Sequence, residues 1–120
     1  MSLDVSVSEK EAGIVTISPV GVIDASTYAV LETQVDSVLR TPPRALIFDM
    51  AGVTYISSAG VRVVLKAKKY LARDKGKVMM VNLQPRVKRV FDIINALPPQ
   101  QLFASIEELD AYLDRMQKGI

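Results

Sequence analysis

Two adjacent serines, Ser57 and Ser58, are the residues of this sequence best placed for regulated chemistry, because they stand where a loop meets a helix predicted over residues 58–74. A phosphate on either hydroxyl would meet free backbone N–H groups and the positive end of the helix dipole. Arg62 follows Ser58 by four residues, which brings its guanidinium within reach of such a phosphate. The alternative interpretation is that one serine is only the N-cap of the helix, a role worth about 1 kcal/mol.

A row of basic side chains follows on the same helix. At 100° per residue, four of them share about a quarter of the helix circumference with Ser58. They are Arg62, Lys66, Lys69 and Arg73. Residues 62–91 carry a net charge of +9, whereas the segments before and after them carry −4 and −3. A solvated helix face is the plain interpretation of this row. A nucleic-acid-binding surface is disfavoured, because only Tyr70 and Phe91 interrupt the basic residues and Phe91 fits the core.

The composition excludes most catalytic and metal chemistry. The chain has no His and no Cys, which removes the commonest general base, the thiol nucleophile and every Cys- or His-ligated metal. Its glycines form neither a dinucleotide fingerprint nor a P-loop. Asp24 and Asp49 both lie where the chain passes from a strand into a loop, and two carboxylates there could hold Mg²⁺. A helix cap at Asp24 and a polar strand end at Asp49 explain both residues more simply, so we predict no metal site and no cofactor.

The elements that position these residues follow from the hydrophobic periodicity. In the first half of the chain we predict strands at 3–9 and 14–17, a helix that is N-capped by Asp24 or Ser26 and has its apolar stripe at 28–39, and a strand at 45–48. The second half begins with the helix at 58–74, whose inward residues are Gly60, Val64, Ala67 and Leu71. A strand at 77–81, a helix at 85–97, a short strand at 101–104 and a last helix that begins with a capping box at 105–108 follow it. The tight turn at 11–13 makes the first two strands an antiparallel hairpin, and crossover helices make the later strands parallel. We therefore predict one α/β domain over residues 1–120, with a mixed sheet and the order ββαβαβαβα.

No segment of the sequence predicts membrane insertion or export. The longest uncharged apolar stretch, residues 12–23, is far shorter than the roughly 20 residues that cross a bilayer. The first residues lack the basic region of a signal peptide. We expect a cytoplasmic protein with no membrane span.

At this level of detail the sequence resembles the STAS family, the anti-sigma factor antagonists of bacterial partner-switching systems. The resemblance covers nearly the whole chain and rests on three stretches. They are Gly-Val-Ile-Asp at 21–24, Leu-Ile-Phe-Asp at 46–49 followed by Val-Thr-Tyr-Ile-Ser-Ser-Ala-Gly-Val at 53–61, and Pro-Arg-Val-Lys-Arg-Val-Phe at 85–91.

The resemblance implies a phosphorylation switch at Ser58. In the family, the serine at this position is phosphorylated by the anti-sigma factor, which is itself a serine kinase, and a serine/threonine phosphatase removes the phosphate. Position 57 is often Asp in the family, so Ser57 is a second possible acceptor, and Ala59 stands where another subgroup has Ser. The implied partner-binding residues are Asp24, Ser57, Ser58, Ala59, Gly60 and Arg62.

The same resemblance implies that the chain is a substrate and binding partner, not an enzyme. Phosphorylation is expected to change the charge of the binding surface without refolding the domain, so that like-charge repulsion and desolvation break the complex. Two other functions remain open, because some STAS domains serve as subunits of membrane transporters and others assemble into signalling scaffolds.

Overall fold

The structure is a computed structural model that describes residues 2–96 and the two separate positions 111 and 115. Its strands and helices are β1 (Asp4–Glu11), β2 (Ile14–Ile23), α1 (Tyr28–Leu39), β3 (Ala45–Asp49), β4 (Gly52–Ile56), α2 (Ser58–Ala72), β5 (Lys77–Val81) and α3 (Pro85–Ala96). The strand predicted at 101–104 and the capping box at 105–108 lie outside the described residues. Of the final predicted helix, only Ala111 and Arg115 are described, and both have helical backbone.

The predicted elements up to α3 are present in the predicted order, and the mixed α/β sheet is confirmed. The structure adds one strand, β4, in the stretch that the sequence analysis had placed in the loop before α2. It also extends β2 from the predicted 14–17 to Ile23. The strand continues through Pro19 and Gly21. Gly21 has a φ of 129° at a register shift, a conformation that glycine adopts readily.

The sheet is built around β2. β1 pairs with β2 antiparallel, and the order continues with β3 and β5, which are parallel to their neighbours. On the edge of β2 away from β1, residues 14–17 pair with β3, and residues 20–23 then pair with β4. The carboxyl ends of β2 and β4 therefore lie side by side, with Ile23 opposite Ile56. This pairing decides where the residues that follow each strand are placed.

Three helices pack on the sheet. α1 contacts β1, β2 and α2, α2 contacts β4 and β5, and α3 contacts β4. The inward face predicted for α2 is confirmed, because Gly60, Val64, Ala67 and Leu71 are all buried. The largest fully buried side chains are those of Phe48, Ile17, Ile23, Leu31, Leu46, Met50, Ile56, Leu71, Val35, Val53 and Val61. No helix in the described part of the chain is long and apolar enough to span a membrane.

Candidate binding and phosphorylation site

The beginning of α2 is fastened to the end of β2. The Ser57 backbone N–H donates to the Ile23 carbonyl oxygen at 2.9 Å, and the Val61 N–H donates to the Ser57 carbonyl oxygen at 3.0 Å. Ser57 is thus the N-cap by position, with an extended backbone (φ −93°, ψ 174°), but its side chain makes no capping hydrogen bond. The Ser57 hydroxyl is buried and has no hydrogen-bond partner among the described residues. The N-cap interpretation of the serines therefore holds for the backbone of Ser57 and not for its hydroxyl.

Both serines are buried. Ser58 is the first residue of α2 and only 3 % exposed, and Ser57 is 8 % exposed. From the sequence, both serines are placed where a loop meets the helix. The extra strand β4 explains the difference, because it runs directly into the helix and leaves no loop between Ile56 and Ser58.

Gly60 allows this close packing. A Cβ atom at position 60 would lie 2.6 Å from Ile23 Cγ2 and 2.7 Å from Ile56 Cγ1, which is closer than carbon atoms approach. The first turn of α2 therefore rests directly on the ends of β2 and β4. Gly60 fixes the position of Ser58 through this contact.

Asp24, the residue after Ile23, organises the turn into α1. Its carboxylate oxygen Oδ1 accepts hydrogen bonds from the Ser26 backbone N–H at 2.9 Å and from the Ser26 hydroxyl at 2.7 Å. The Thr27 hydroxyl donates to the Val22 carbonyl oxygen at 2.7 Å and locks the same turn. Of the two predicted N-caps, Asp24 therefore caps the turn, whereas Ser26 is its donor. The position directly before α1 belongs to Thr27, whose side chain makes no capping bond to the helix.

The hydrogen bond from the Ser26 hydroxyl lowers the pKa of the Asp24 carboxyl below its ordinary value of 3.8, against the smaller opposing effect of burial. Asp24 is therefore a carboxylate at neutral pH, one residue beyond the strand end to which Ser57 is bonded. A negative charge thus lies close to the start of α2.

A groove adjoins the serines between α1 and α2. It has a volume of about 480 Å³ and is lined by Tyr28, Glu32, Ala59, Arg62, Val63 and Lys66. The structure thus brings the six sequence-predicted site residues to one end of the molecule, four around the strand ends and two, Ala59 and Arg62, in the groove. Sequence reasoning missed Tyr28 and Glu32 as parts of this site. The amphipathic pattern of α1 gave no sign of which end would face α2.

The other carboxylate considered for Mg²⁺, Asp49, has a structural role. Its Oδ1 accepts hydrogen bonds from the Ala51 backbone N–H and the Asn82 side-chain amide, both at 3.2 Å. These bonds hold the turn after β3 against the turn after β5. Among the described residues, no group of three or more acidic, His or Cys side chains is placed to hold a metal ion.

Asp24→Asn is expected to keep the fold at neutral pH and to flatten its response to acid. The amide oxygen can accept the same bonds, so the free energy of unfolding at pH 7 should stay within about 1 kcal/mol of wild type. A carboxyl whose folded pKa is lowered stabilises the fold above its unfolded pKa, and this contribution is lost as the pH falls through the folded value. Urea unfolding measured at pH 7 and at pH 3 should show that the free energy of unfolding falls less between these two pH values in the variant than in wild type. Equal losses would mean that the carboxylate adds nothing to stability.

Comparison with known proteins places this geometry in a family. Residues 6–109 match the family model described as the STAS domain. In sequence, the chain is 34 % identical over 73 residues to BtrV of Bordetella bronchiseptica, which is named as an anti-sigma factor antagonist. The alignment spans 61 % of this chain and 63 % of BtrV, so the chain covers less than two thirds of that relative.

Solved structures share the fold. SpoIIAA, named as an anti-sigma factor antagonist, superposes in its unphosphorylated form with a TM-score of 0.65 at 18 % identity, over 75 % of this chain and 83 % of SpoIIAA. The phosphorylated form of SpoIIAA, from Bacillus, superposes with a TM-score of 0.64 at 18 % identity, over 75 % of this chain and 82 % of SpoIIAA. An anti-sigma factor antagonist from Mycobacterium paratuberculosis superposes with a TM-score of 0.63 at 21 % identity, over 93 % of this chain and 94 % of that chain. Since the family model covers most of its length, the chain belongs to the STAS domain family.

Proposed function

We propose that this protein is an anti-sigma factor antagonist that binds its anti-sigma factor when unphosphorylated and is released when Ser58 is phosphorylated. The observation that carries the proposal is the position of Ser58 at the start of α2, between Ser57, which is bonded to the end of β2, and Ala59, which lines the groove between α1 and α2. The names of BtrV and SpoIIAA support it, as does the existence of SpoIIAA in a phosphorylated form. In this role the chain is a substrate and binding partner in the cytoplasm and catalyses nothing itself.

The binding surface is formed by the ends of β2 and β4 and by the first turns of α1 and α2. Tyr28 and Arg62 line the groove there, and Tyr and Arg are the side chains that most often dominate binding energy at interfaces. Gly60 gives this surface a fixed shape because it holds α2 against Ile23 and Ile56. A partner that covers the groove also covers the start of α2, so one complex encloses the phosphoacceptor.

Phosphorylation breaks the complex through charge and bulk. A phosphate adds close to two negative charges, and here it would stand beside the Asp24 carboxylate. A phosphorylated side chain does not fit where Ser58 is only 3 % exposed, so the Ser58 side chain must turn outward into the interface. Arg62, one turn along the helix, can pair with the phosphate. Since α2 remains packed through Val64, Ala67 and Leu71, the change is confined to the first turn of the helix.

The proposal is tested by mapping the phosphate. The protein is incubated with ATP and the anti-sigma factor kinase encoded in the same genome, and the modified residue is located by mass spectrometry. We expect one phosphate, on Ser58. Modification of Ser57 alone would show that Ser57, and not Ser58, is the phosphoacceptor. The absence of a phosphate on both serines would contradict the proposal. A serine/threonine phosphatase should then restore the unmodified mass and the binding.

A further inference from the structure

The outer face of α2 beyond the first turn has an unusual composition. The helix contains no acidic residue, and its exposed side chains, together with that of the C-cap residue Arg73, include five cations and two large apolar groups. We call six of these residues the basic strip; they are Arg62, Leu65, Lys66, Lys69, Tyr70 and Arg73. Leu65 and Tyr70 are 36 % and 41 % exposed. The strip continues from the groove of the proposed binding site to the far end of the helix.

Most charges of the basic strip have no ion-pair partner among the described residues. Arg62 and Lys66, and likewise Lys69 and Arg73, stand four residues apart on a helix, a spacing at which like charges repel. Of the cations in the strip, Lys66 alone forms ion pairs within the described residues, at 3.8 Å from Glu32 and 3.7 Å from Asp36 on α1. Within the described part of the chain, Lys69 and Arg73 form no ion pair. A row of like charges that the fold leaves unbalanced indicates a partner that balances them.

The apolar members show what kind of partner fits. The Arg73 guanidinium stacks over the Tyr70 ring, 5.7 Å from its centroid. This contact presents the ring and the cation together. Aromatic and Arg side chains next to an exposed Leu are typical of protein interfaces. A nucleic acid fits less well, because the exposed Leu65 beside the cations gains nothing from contact with a phosphate backbone.

We propose that the basic strip is an extension of the partner interface and binds an acidic surface of the anti-sigma factor. The inference rests on the proposed function and adds the chemistry and extent of the contact. Arg73 lies about 22 Å along the helix from Ser58, at 1.5 Å per residue. That separation exceeds the screening length of about 8 Å at physiological salt. The far end of the strip therefore attracts the partner in either phosphorylation state, whereas Arg62 responds to the phosphate.

The experiment compares two double variants that lose the same charge. Lys69→Gln with Arg73→Gln neutralises the far end of the strip. Lys10→Gln with Arg89→Gln neutralises two exposed cations on β1 and α3. Affinity for the anti-sigma factor is measured by titration calorimetry at 50 and 500 mM NaCl. We expect the strip variant to bind about five- to tenfold more weakly at 50 mM and nearly as well as wild type at 500 mM, because salt screens exposed charges. The control should bind within about twofold of wild type, since distant exposed charges contribute little.

Each other outcome is decisive. If wild type binds and the two double variants bind equally, the strip makes no contact with the anti-sigma factor and this inference fails while the proposed function stands. If wild type does not bind the anti-sigma factor at all, both fail. A mixed-sequence DNA duplex that binds wild type and loses affinity in the strip variant alone would assign the strip to nucleic acid and overturn the inference. The strip variant should unfold at the same temperature as wild type, which excludes a folding defect as the cause.

Discussion

Ser58→Glu is expected to bind the anti-sigma factor at least about 30-fold more weakly than Ser58→Ala. The carboxylate would stand in the interface near the Asp24 carboxylate, and like charges brought together at an interface cost about 2 kcal/mol or more, which corresponds to about 30-fold in affinity. Ser58→Ala loses only a hydroxyl from a site that is 3 % exposed. It should therefore bind as wild type does and remain bound when ATP is added. Titration calorimetry of the purified variants, with and without ATP, measures both effects.

Ser57→Ala is the matched control, since it removes the same atom from the neighbouring buried residue. The Ser57 hydroxyl makes no capping bond and has no hydrogen-bond partner in the described residues, so its loss should leave the release of the complex by ATP unchanged. If Ser57→Ala rather than Ser58→Ala stays bound in ATP, the acceptor is Ser57. If Ser58→Glu binds as tightly as Ser58→Ala, charge at this position does not control the complex.

The burial of Ser58 also leads to an expectation for amide hydrogen exchange in the same variants. The hydroxyl is reached only when the first turn of α2 moves, so amide exchange should change locally when the serine is phosphorylated or replaced by Glu. We expect faster exchange at residues 58–61 and unchanged protection at residues 63–72, whose side chains anchor the helix in the core. Loss of protection along the whole helix would mean that the switch unfolds α2.

The features that were predicted best from the sequence are those that depend on local hydrophobic periodicity. The inward face of α2 and the antiparallel hairpin of β1 and β2 were both predicted from local patterns, because 3.6-residue and two-residue periods record which side of an element is buried. The family resemblance groups Asp24 with the two serines. The structure brings these residues to one end of the molecule, and their role in binding stays a prediction.

The sequence did not predict what depends on pairing between distant segments. β4 is a strand because the second half of β2 offers it an edge, and a five-residue stretch gives no such information by itself. The burial of Ser57 and Ser58 follows from the same pairing, so it was missed for the same reason. The pairing of Lys66 with Glu32 and Asp36, which leaves the rest of the basic strip unbalanced, depends on how α1 lies against α2.

Gly60→Val is expected to be the most destabilising single substitution in the site. The new Cβ would lie 2.6 Å from Ile23 Cγ2 and 2.7 Å from Ile56 Cγ1. Both isoleucines are completely buried, so their methyl groups have no space into which to move. Overpacking a well-packed core costs about 1–3 kcal/mol for small insertions, and valine adds two further methyl groups. We expect a loss of about 3 kcal/mol in the free energy of unfolding, measured in urea at pH 7.

Gly60→Ala separates the two effects of the glycine. Alanine favours the helix by about 1 kcal/mol over glycine, and its Cβ meets the same isoleucines, so the net loss should be about 1–2 kcal/mol, smaller than for valine. Ala72→Val is the control, because it places a β-branched residue on the exposed end of the same helix and should cost less than about 1 kcal/mol. A partial shift of α2 away from the strands would also break the bond from the Ser57 N–H to the Ile23 carbonyl, so Gly60→Ala should weaken partner binding even where it is fully folded. If both Gly60 variants are as stable as wild type, the first turn of α2 does not rest on Ile23 and Ile56, and the fixed shape assigned to the binding surface is wrong.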